Sequence, residues 1–463
     1  MVLNSRKSIS SQMSFKNTDY VIRSVINLKG ERISIPSGCT LLFERYGRIK
    51  NGTIIGNETR IDSKKNRIFR NIVFTGTFQC DKCRPEWFIE GEDGEKIDNC
   101  LDLFQGLILE GNYKLKAPIV IEKPIHISGN GLLLFISEEG TCLDIRSSNV
   151  SISGISLRNQ SINSFIIHVN GNAKNVLHHI SISQCTITGG KYAIALDGCV
   201  NSSITKCKIS DVERTAIGLY SSRFIEVKNN EITNINISHR ESNSYGITAT
   251  YHYGDPKSTD ITISNNNVSN NPYWEALDTH GGERVTFSNN IVKNCWRGIA
   301  AVGDDHREIM LCKDIIIEGN EISCSNEPLS NGIVFTGVSD NKVSENIKVL
   351  RNKVYSSVIA LYSTNNEKVL IRDNNLFATD EIWRDIGSKD VLFEHNHIEL
   401  AIGSAAYYEK TVFYFKPSSL TNRVVGEIND NNIITGGASV TTYYKSLGIF
   451  NSSVSLNRNR IIK

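Results

Sequence analysis

The sequence predicts an all-β protein wound as a parallel β-helix, and three observations carry that expectation. First, a phrase Asn-x-Ile/Val/Leu recurs at Asn230, Asn266, Asn289, Asn320, Asn352, Asn374, Asn396, Asn431 and Asn459. The gaps, by subtraction, are 36, 23, 31, 32, 22, 22, 35 and 28 residues, as in a chain that adds one coil at a time with insertions in some coils. Second, each phrase lies in a run such as Asp260 to Val268 or Asp314 to Ile322, where apolar and polar residues alternate with the period of a strand. Third, a separate apolar register (Ala193 to Leu196, Ala216 to Leu219, Gly246 to Ala249, Gly298 to Ala301, Gly332 to Phe335) accompanies the first, and no helical period lies between them. Glu275 to Asp278 and Val358 to Leu361 are expected to fill the same place. A β-propeller needs four strands in about 40 residues, and these coils are too short.

The asparagine has a physical role in such a coil. Its amide can bond its own turn and the copy one coil away, about 4.8 Å distant, and asparagine tolerates left-handed backbone at a bend. Cys185 and Cys207 are expected in the same slot of earlier coils, as part of a buried stack of small side chains.

The elements follow in order. Residues 1–18 are polar and expected to be loose. Residues 19–88 are strand-rich and form a β-rich N-terminal capping module, because the open end of a β-helix is an exposed sheet edge that must be covered. Ile97, Leu101 and Phe104 share one face of a short capping helix expected over 96–105. Residues 89–463 are assigned to the β-helix, with an aromatic-rich break in rhythm from Ala405 to Lys416.

Composition excludes several classes. The 463 residues are enough for a large core, and a net charge of +2 gives no global field for nucleic acid. No apolar run is long enough to span a bilayer, and the first residues lack the apolar stretch of a secretory signal. The eleven cysteines sit mostly in apolar or ladder positions and read as packed thiols. Cys80 and Cys83 form a lone C-x-x-C without the further ligands that zinc requires.

Trp87-Phe88, Gly91-Glu-Asp-Gly94, a short helix, Leu109-Glu-Gly-Asn-Tyr113 and Ser128-Gly-Asn-Gly131 together resemble the entry of the pectate-lyase-like superfamily of right-handed parallel β-helices. The resemblance covers about residues 85–400. It implies a right-handed coil and a carbohydrate ligand, since the family includes polysaccharide lyases, glycoside hydrolases and phage tailspike depolymerases. The Asn-Thr-Asp, Gly-Asp-Asp, Gly-His-Gly, Arg-Ile-Lys order of polygalacturonase-type hydrolases is not reproduced. Gly303-Asp304-Asp305 follows Thr279-His280-Gly281, and the one Arg-Ile-Lys is Arg48 to Lys50.

Reactive side chains concentrate in three neighbouring coils. They contribute Tyr251, His252 and Tyr253; then Trp274, Glu275, Asp278 and His280; then Trp296, Arg297, Asp304, Asp305, His306 and Arg307. Asp278 and His280 are two apart, so they share one face of a strand, and both are expected to face solvent. Asp278, His280, Asp304 and Asp305 are the catalytic candidates. Tyr251, His252, Tyr253, Glu275, Arg297, His306 and Arg307 are the substrate-binding candidates. No metal ligands are assigned, although calcium is left open for the Asp304-Asp305 carboxylates. Arg297 is expected either on a substrate carboxylate or on Glu275, and the two tryptophans are expected to stack.

Two chemistries fit this inventory. A glycoside hydrolase needs two carboxyl groups about 5 Å apart for retention or about 6.5–9.5 Å for inversion, and Asp278 with Asp304 or Asp305 supplies them. A lyase needs a base, such as His280, and a cation for the uronate, such as Arg297. The number of carboxylates favours the hydrolase. The alternative is a non-catalytic glycan-binding or tailspike-like attachment protein. The expected partner is a polysaccharide, the expected state a monomer or homotrimer, and the expected place of action extracellular or on a virion.

Overall fold

The fold was analysed in a computed structural model, which describes residues 1–463 except 65–66, 81, 160, 237, 239–242, 306–307, 326, 402–410, 417–423, 436–438, 444–452 and 463. Among the described residues the named strands pair in parallel. They form a six-stranded N-terminal sheet, a 15-stranded sheet and a 23-stranded sheet. Among the described residues, each coil from Gly106 onward adds to the 15-stranded sheet, one of them as two short strands (Leu177–His178 and Ser181–Ser183), and the chain then bends to add to the 23-stranded sheet. That larger sheet carries two strand columns. In some coils they run on as one long bent strand, as in Asn267–His280 and Ile291–Val302.

The alternation seen in the sequence determines which side chains fill the tube. Ile204, Val227, Ile263 and Phe287 follow one another in register along the first column. Ile209, Ile232, Val268 and Val292 do so along the second. Ile217, Ile247, Leu277 and Ile299 do so along the third. All are buried, and each contributes about 1.5–3 kcal/mol of apolar burial.

The bend into the second column is held by a side-chain ladder. Asn230, Asn266, Asn290, Asn320, Asn352, Asn374, Asn396, Asn431 and Asn459 are linked one coil to the next, each Nδ2 donating to the Oδ1 that follows at 2.9–3.1 Å. That same Oδ1 also accepts the preceding backbone N–H. Cys207 precedes Asn230 in this stack, its N–H donating to Asn230 Oδ1 at 2.9 Å, and Cys185 is buried one coil earlier. One phase is corrected. The ladder residue of its coil is Asn290, not Asn289, so the gaps there are 24 and 30. Asn289 is the left-handed residue just before it, at φ 54°, as Asn229 and Asn265 are at 58° and 55°. The two properties that suit asparagine to this bend are therefore divided between neighbouring positions.

The third column corrects two further phases. Ile247 pairs with Leu277, so Ala276 to Thr279 is the equivalent of Gly246 to Ala249, one residue later than the pattern suggested. Ile333 pairs with Leu361, which moves that coil two residues, past irregular pairing around Ser357.

At the N-terminal end the helix spans Asp93–Leu103, against the expected 96–105. It starts in a capping box between Glu92 and Glu95, and Ile97, Leu101 and the following Phe104 are buried. Cys83 Sγ meets Cys100 Sγ of this helix at 2.7 Å, both fully buried. The neighbour of the C-x-x-C is thus a helix cysteine. Of the aromatic-rich segment from Ala405, the described part is the strand Thr411–Lys416, whose Phe413 and Phe415 pack on Trp383 inside the tube. No described helix is long and apolar enough to cross a membrane.

Candidate functional site

The third strand column places the site. Its strands end with an outward residue at every second position, and Leu277 in the core register sends Asp278 and His280 to the outer side. The structure then departs from the expected exposure. Asp278 is 0% exposed and Glu275 1%. The His280 ring is about a quarter exposed, with its Nε2 sealed. The outer side of the sheet is roofed here by the bulky residues of adjacent coils. Tyr245 meets His280 edge to face with centroids 6.2 Å apart.

The two carboxylates are each tethered by one oxygen. Thr248 Oγ1, the register partner one coil earlier, donates to Asp278 Oδ2 at 2.6 Å. Arg297 Nη1, the partner one coil later, donates to Glu275 Oε1 at 2.9 Å. The Arg297 guanidinium lies 4.9 Å from the Trp274 ring centroid and 4.6 Å from that of Trp296, and the two rings pack tilted at 36° with centroids 5.3 Å apart instead of stacking. Arg297 therefore pairs with Glu275, and both serve to build the site. Glu275, a substrate-binding candidate in the sequence, is covered.

The other oxygens converge. His280 Nε2 lies 3.4 Å from Asp278 Oδ1 and 3.9 Å from Glu275 Oε2. All three atoms are buried and none makes a hydrogen bond. Burial pushes Asp278 up to about 7, with Glu275 adding to it against the pull of His280. Burial works against charge on His280, yet Asp278 and Glu275 overcome it and lift the imidazole to about 9. Burial also raises Glu275, but His280 and Arg297 prevail and hold it below the usual range.

A cavity of about 170 Å³ adjoins this cluster, lined by Tyr192, Arg214, Thr215, Tyr220, Tyr245, Thr248, Thr250, Asp278 and His280. The Tyr220 ring that lines it packs over Gly218, which follows Ala195 in the column that continues to Thr248. A Cβ at Gly218 would fall 2.5–2.8 Å from the Tyr220 ring. Arg214 Nη1 donates to Tyr192 OH at 3.0 Å.

The remaining sequence candidates divide. Tyr251 OH donates to Asp304 Oδ2 at 3.2 Å, and Asp304 is close enough to His280 to favour its charge. Asp305 is exposed beside it. His252 belongs to a second cluster. Its ring stacks on Tyr220 at 4.8 Å, and its Nε2 lies 3.4 Å from Asp197 Oδ1, while His168 Nε2 holds Asp197 Oδ2 at 2.7 Å. Asp197 raises His252 above its ordinary value. Tyr253 is 66% exposed. His306 and Arg307 lie outside the described residues.

Sequence reasoning missed Tyr192, Arg214, Tyr220, Tyr245, Thr248, Asp197 and His168. Stacking the strands of the second apolar register coil on coil would have collected them, because register partners lie about 4.8 Å apart whatever the loop between them.

Comparisons with known proteins agree with this architecture. A family model described as a right-handed β-helix region matches residues 135–311. The catalytic unit of a thermostable GH87 alpha-1,3-glucanase from Streptomyces thermodiastaticus strain HF3-3 is similar over 78% of this chain and 68% of its own, at 14% identity and a TM-score of 0.59. The Dettilon tailspike protein is similar over 81% and 68%, at 15% identity and a TM-score of 0.47. A periplasmic alginate epimerase, in a mutant form, is similar over 77% and 85%, at 12% identity and a TM-score of 0.42. Comparison with curated proteins gives no match. The winding of three strand columns and the matched region give the chain the fold of a right-handed parallel β-helix.

Proposed function

We propose that the protein is a carbohydrate-active enzyme that hydrolyses a glycosidic bond of a polysaccharide at the cavity bordered by Asp278 and His280. The observation that carries this reading is a sealed acid pair facing a space lined by hydroxyl-bearing side chains. In it Asp278 is the proton donor to the leaving oxygen, kept protonated near neutral pH by burial, with His280 charged beside it. Asp304, oriented by Tyr251, is the second carboxylate. Glu275, Arg297 and Thr248 are positioning residues.

Two observations support hydrolysis over elimination. Arg297, the cation a lyase would turn to a uronate, is engaged with Glu275. His280, the base a lyase would use, is held in its charged form. The solved glucanase gives an instance of glycan hydrolysis on the same fold.

The test is incubation with a panel of neutral and acidic polysaccharides. New reducing ends that disappear in Asp278→Asn and His280→Ala, each with unchanged circular dichroism, are the expected result. Absorbance near 235 nm, from an unsaturated uronate, would replace hydrolysis by elimination. Binding without products would make the protein an attachment module, and full turnover in both variants would move the site elsewhere.

A further inference from the structure

The convergence of three sealed atoms at Glu275, Asp278 and His280 has a geometry of its own. Each carboxylate has one oxygen engaged from behind, Oδ2 of Asp278 by Thr248 and Oε1 of Glu275 by Arg297. Their other oxygens, Oδ1 and Oε2, and the imidazole Nε2 lie within 4.8 Å of one another, buried and without a hydrogen-bond partner. Distances of 3.4 and 3.9 Å from Nε2 are too long for either carboxylate to be satisfied by the imidazole N–H.

We propose that Glu275 Oε2, Asp278 Oδ1 and His280 Nε2 form a binding site for a divalent transition-metal ion of the zinc class. Two sides of this triangle are 3.4 and 3.9 Å and the third is at most 4.8 Å, so a point no more than about 2.4 Å from all three corners exists, close to the ligand distances such ions take from imidazole and carboxylate. The back-side bonds from Thr248 and Arg297 are of the kind that orient ligating carboxylates. Two carboxylates match a doubly charged ion, and one imidazole with only two carboxylate donors favours zinc or its neighbours over calcium, which collects six to eight oxygens. Asp278 and His280 also line the cavity, so a fourth position opens toward it. The ion needs the lone pairs that carry the protons assigned above to Asp278 and to His280 Nε2, so the metal and those protons exclude each other. Metal binding would then withdraw the acid.

The site is tested on untagged full-length protein stripped with a chelator, by calorimetric titration with zinc chloride and, separately, calcium chloride. One zinc per chain is expected, with calcium at least tenfold weaker. Asp278→Asn and His280→Ala should each weaken zinc a hundredfold or more. Thr248→Val, which keeps all three ligands, should weaken it about 10–100-fold. Tyr253→Ala, on an exposed ring, should leave it unchanged. No binding, binding retained in an Asp278→Asn/His280→Ala double variant of unchanged circular dichroism, or calcium bound more tightly than zinc would each overturn the proposal. Polysaccharide cleavage is scored separately on the chelated protein, so the metal site and the hydrolytic reading fail independently.

Discussion

Truncating one rung of the asparagine ladder tests what holds the coils in register. Asn320 is 1% exposed. Its Oδ1 accepts the Asn290 backbone N–H at 2.9 Å and Asn290 Nδ2 at 3.0 Å. Its Nδ2 donates to the Phe287 carbonyl at 3.0 Å and to Asn352 Oδ1 at 2.9 Å. In Asn320→Ala the last acceptor keeps the Asn320 backbone N–H. The Asn290 backbone N–H and the Phe287 carbonyl lose these bonds in a dry bend, and Asn290 Nδ2 keeps only its bond to the Ile263 carbonyl. An unsatisfied buried group costs about 1–3 kcal/mol, so the three lost bonds cost about 3 kcal/mol even if each is at the low end. A factor of ten corresponds to about 1.4 kcal/mol, so if the cost falls on local opening, exchange at the Asn290 amide should accelerate at least a hundredfold. Hydrogen exchange read by mass spectrometry on peptides spanning residues 283–292 measures this. Asn294→Ala is the control, because its amide bonds Asn270 on the exposed surface. Exchange at Asn290 within threefold of the parent protein would refute the idea that the ladder side chains secure the bend.

Asp385 lies inside the tube, fully buried, with Ser363 Oγ donating to it and Ser388 donating from N at 3.1 Å and from Oγ at 2.6 Å. Burial raises it to about 6 against those bonds. A folded value above the unfolded one gives stability that is complete below about pH 4 and is lost as the pH rises through 6, by about 3 kcal/mol in all. Melting temperature should fall between pH 5 and 7.5, and Asp385→Asn should flatten that fall; an unchanged slope counts against it. Arg297→Ala leaves Glu275 sealed without its cation and should cost about 3–5 kcal/mol in denaturant unfolding, with part recovered in the Glu275→Gln/Arg297→Ala double variant. An unshifted midpoint would mean that Arg297 does not hold the site together. Gly218→Ala should force the Tyr220 ring off its place and lower turnover at least tenfold with the fold intact; full activity would show that this ring does not shape the cavity.

The sequence by itself determined the winding. Period-two alternation and the repeated asparagine are local properties, and each coil reports them again, so nine repeats reinforce one another even where a single phase, as at Asn289 and Asn290, is misread. The spacing of Asp278 and His280 likewise placed them on one strand face. Only the tertiary structure decided what that face is. Whether Asp278 is washed by solvent or sealed depends on the roof over it, where Tyr245 of the preceding coil packs against His280, and whether Arg297 is a substrate cation depends on meeting Glu275 across a coil boundary. The cavity draws on strands from Tyr192 to His280, separated by loops of unequal length. Loop length hides such neighbours from a linear reading, while the hydrogen-bonded register of the sheet restores them at one coil spacing.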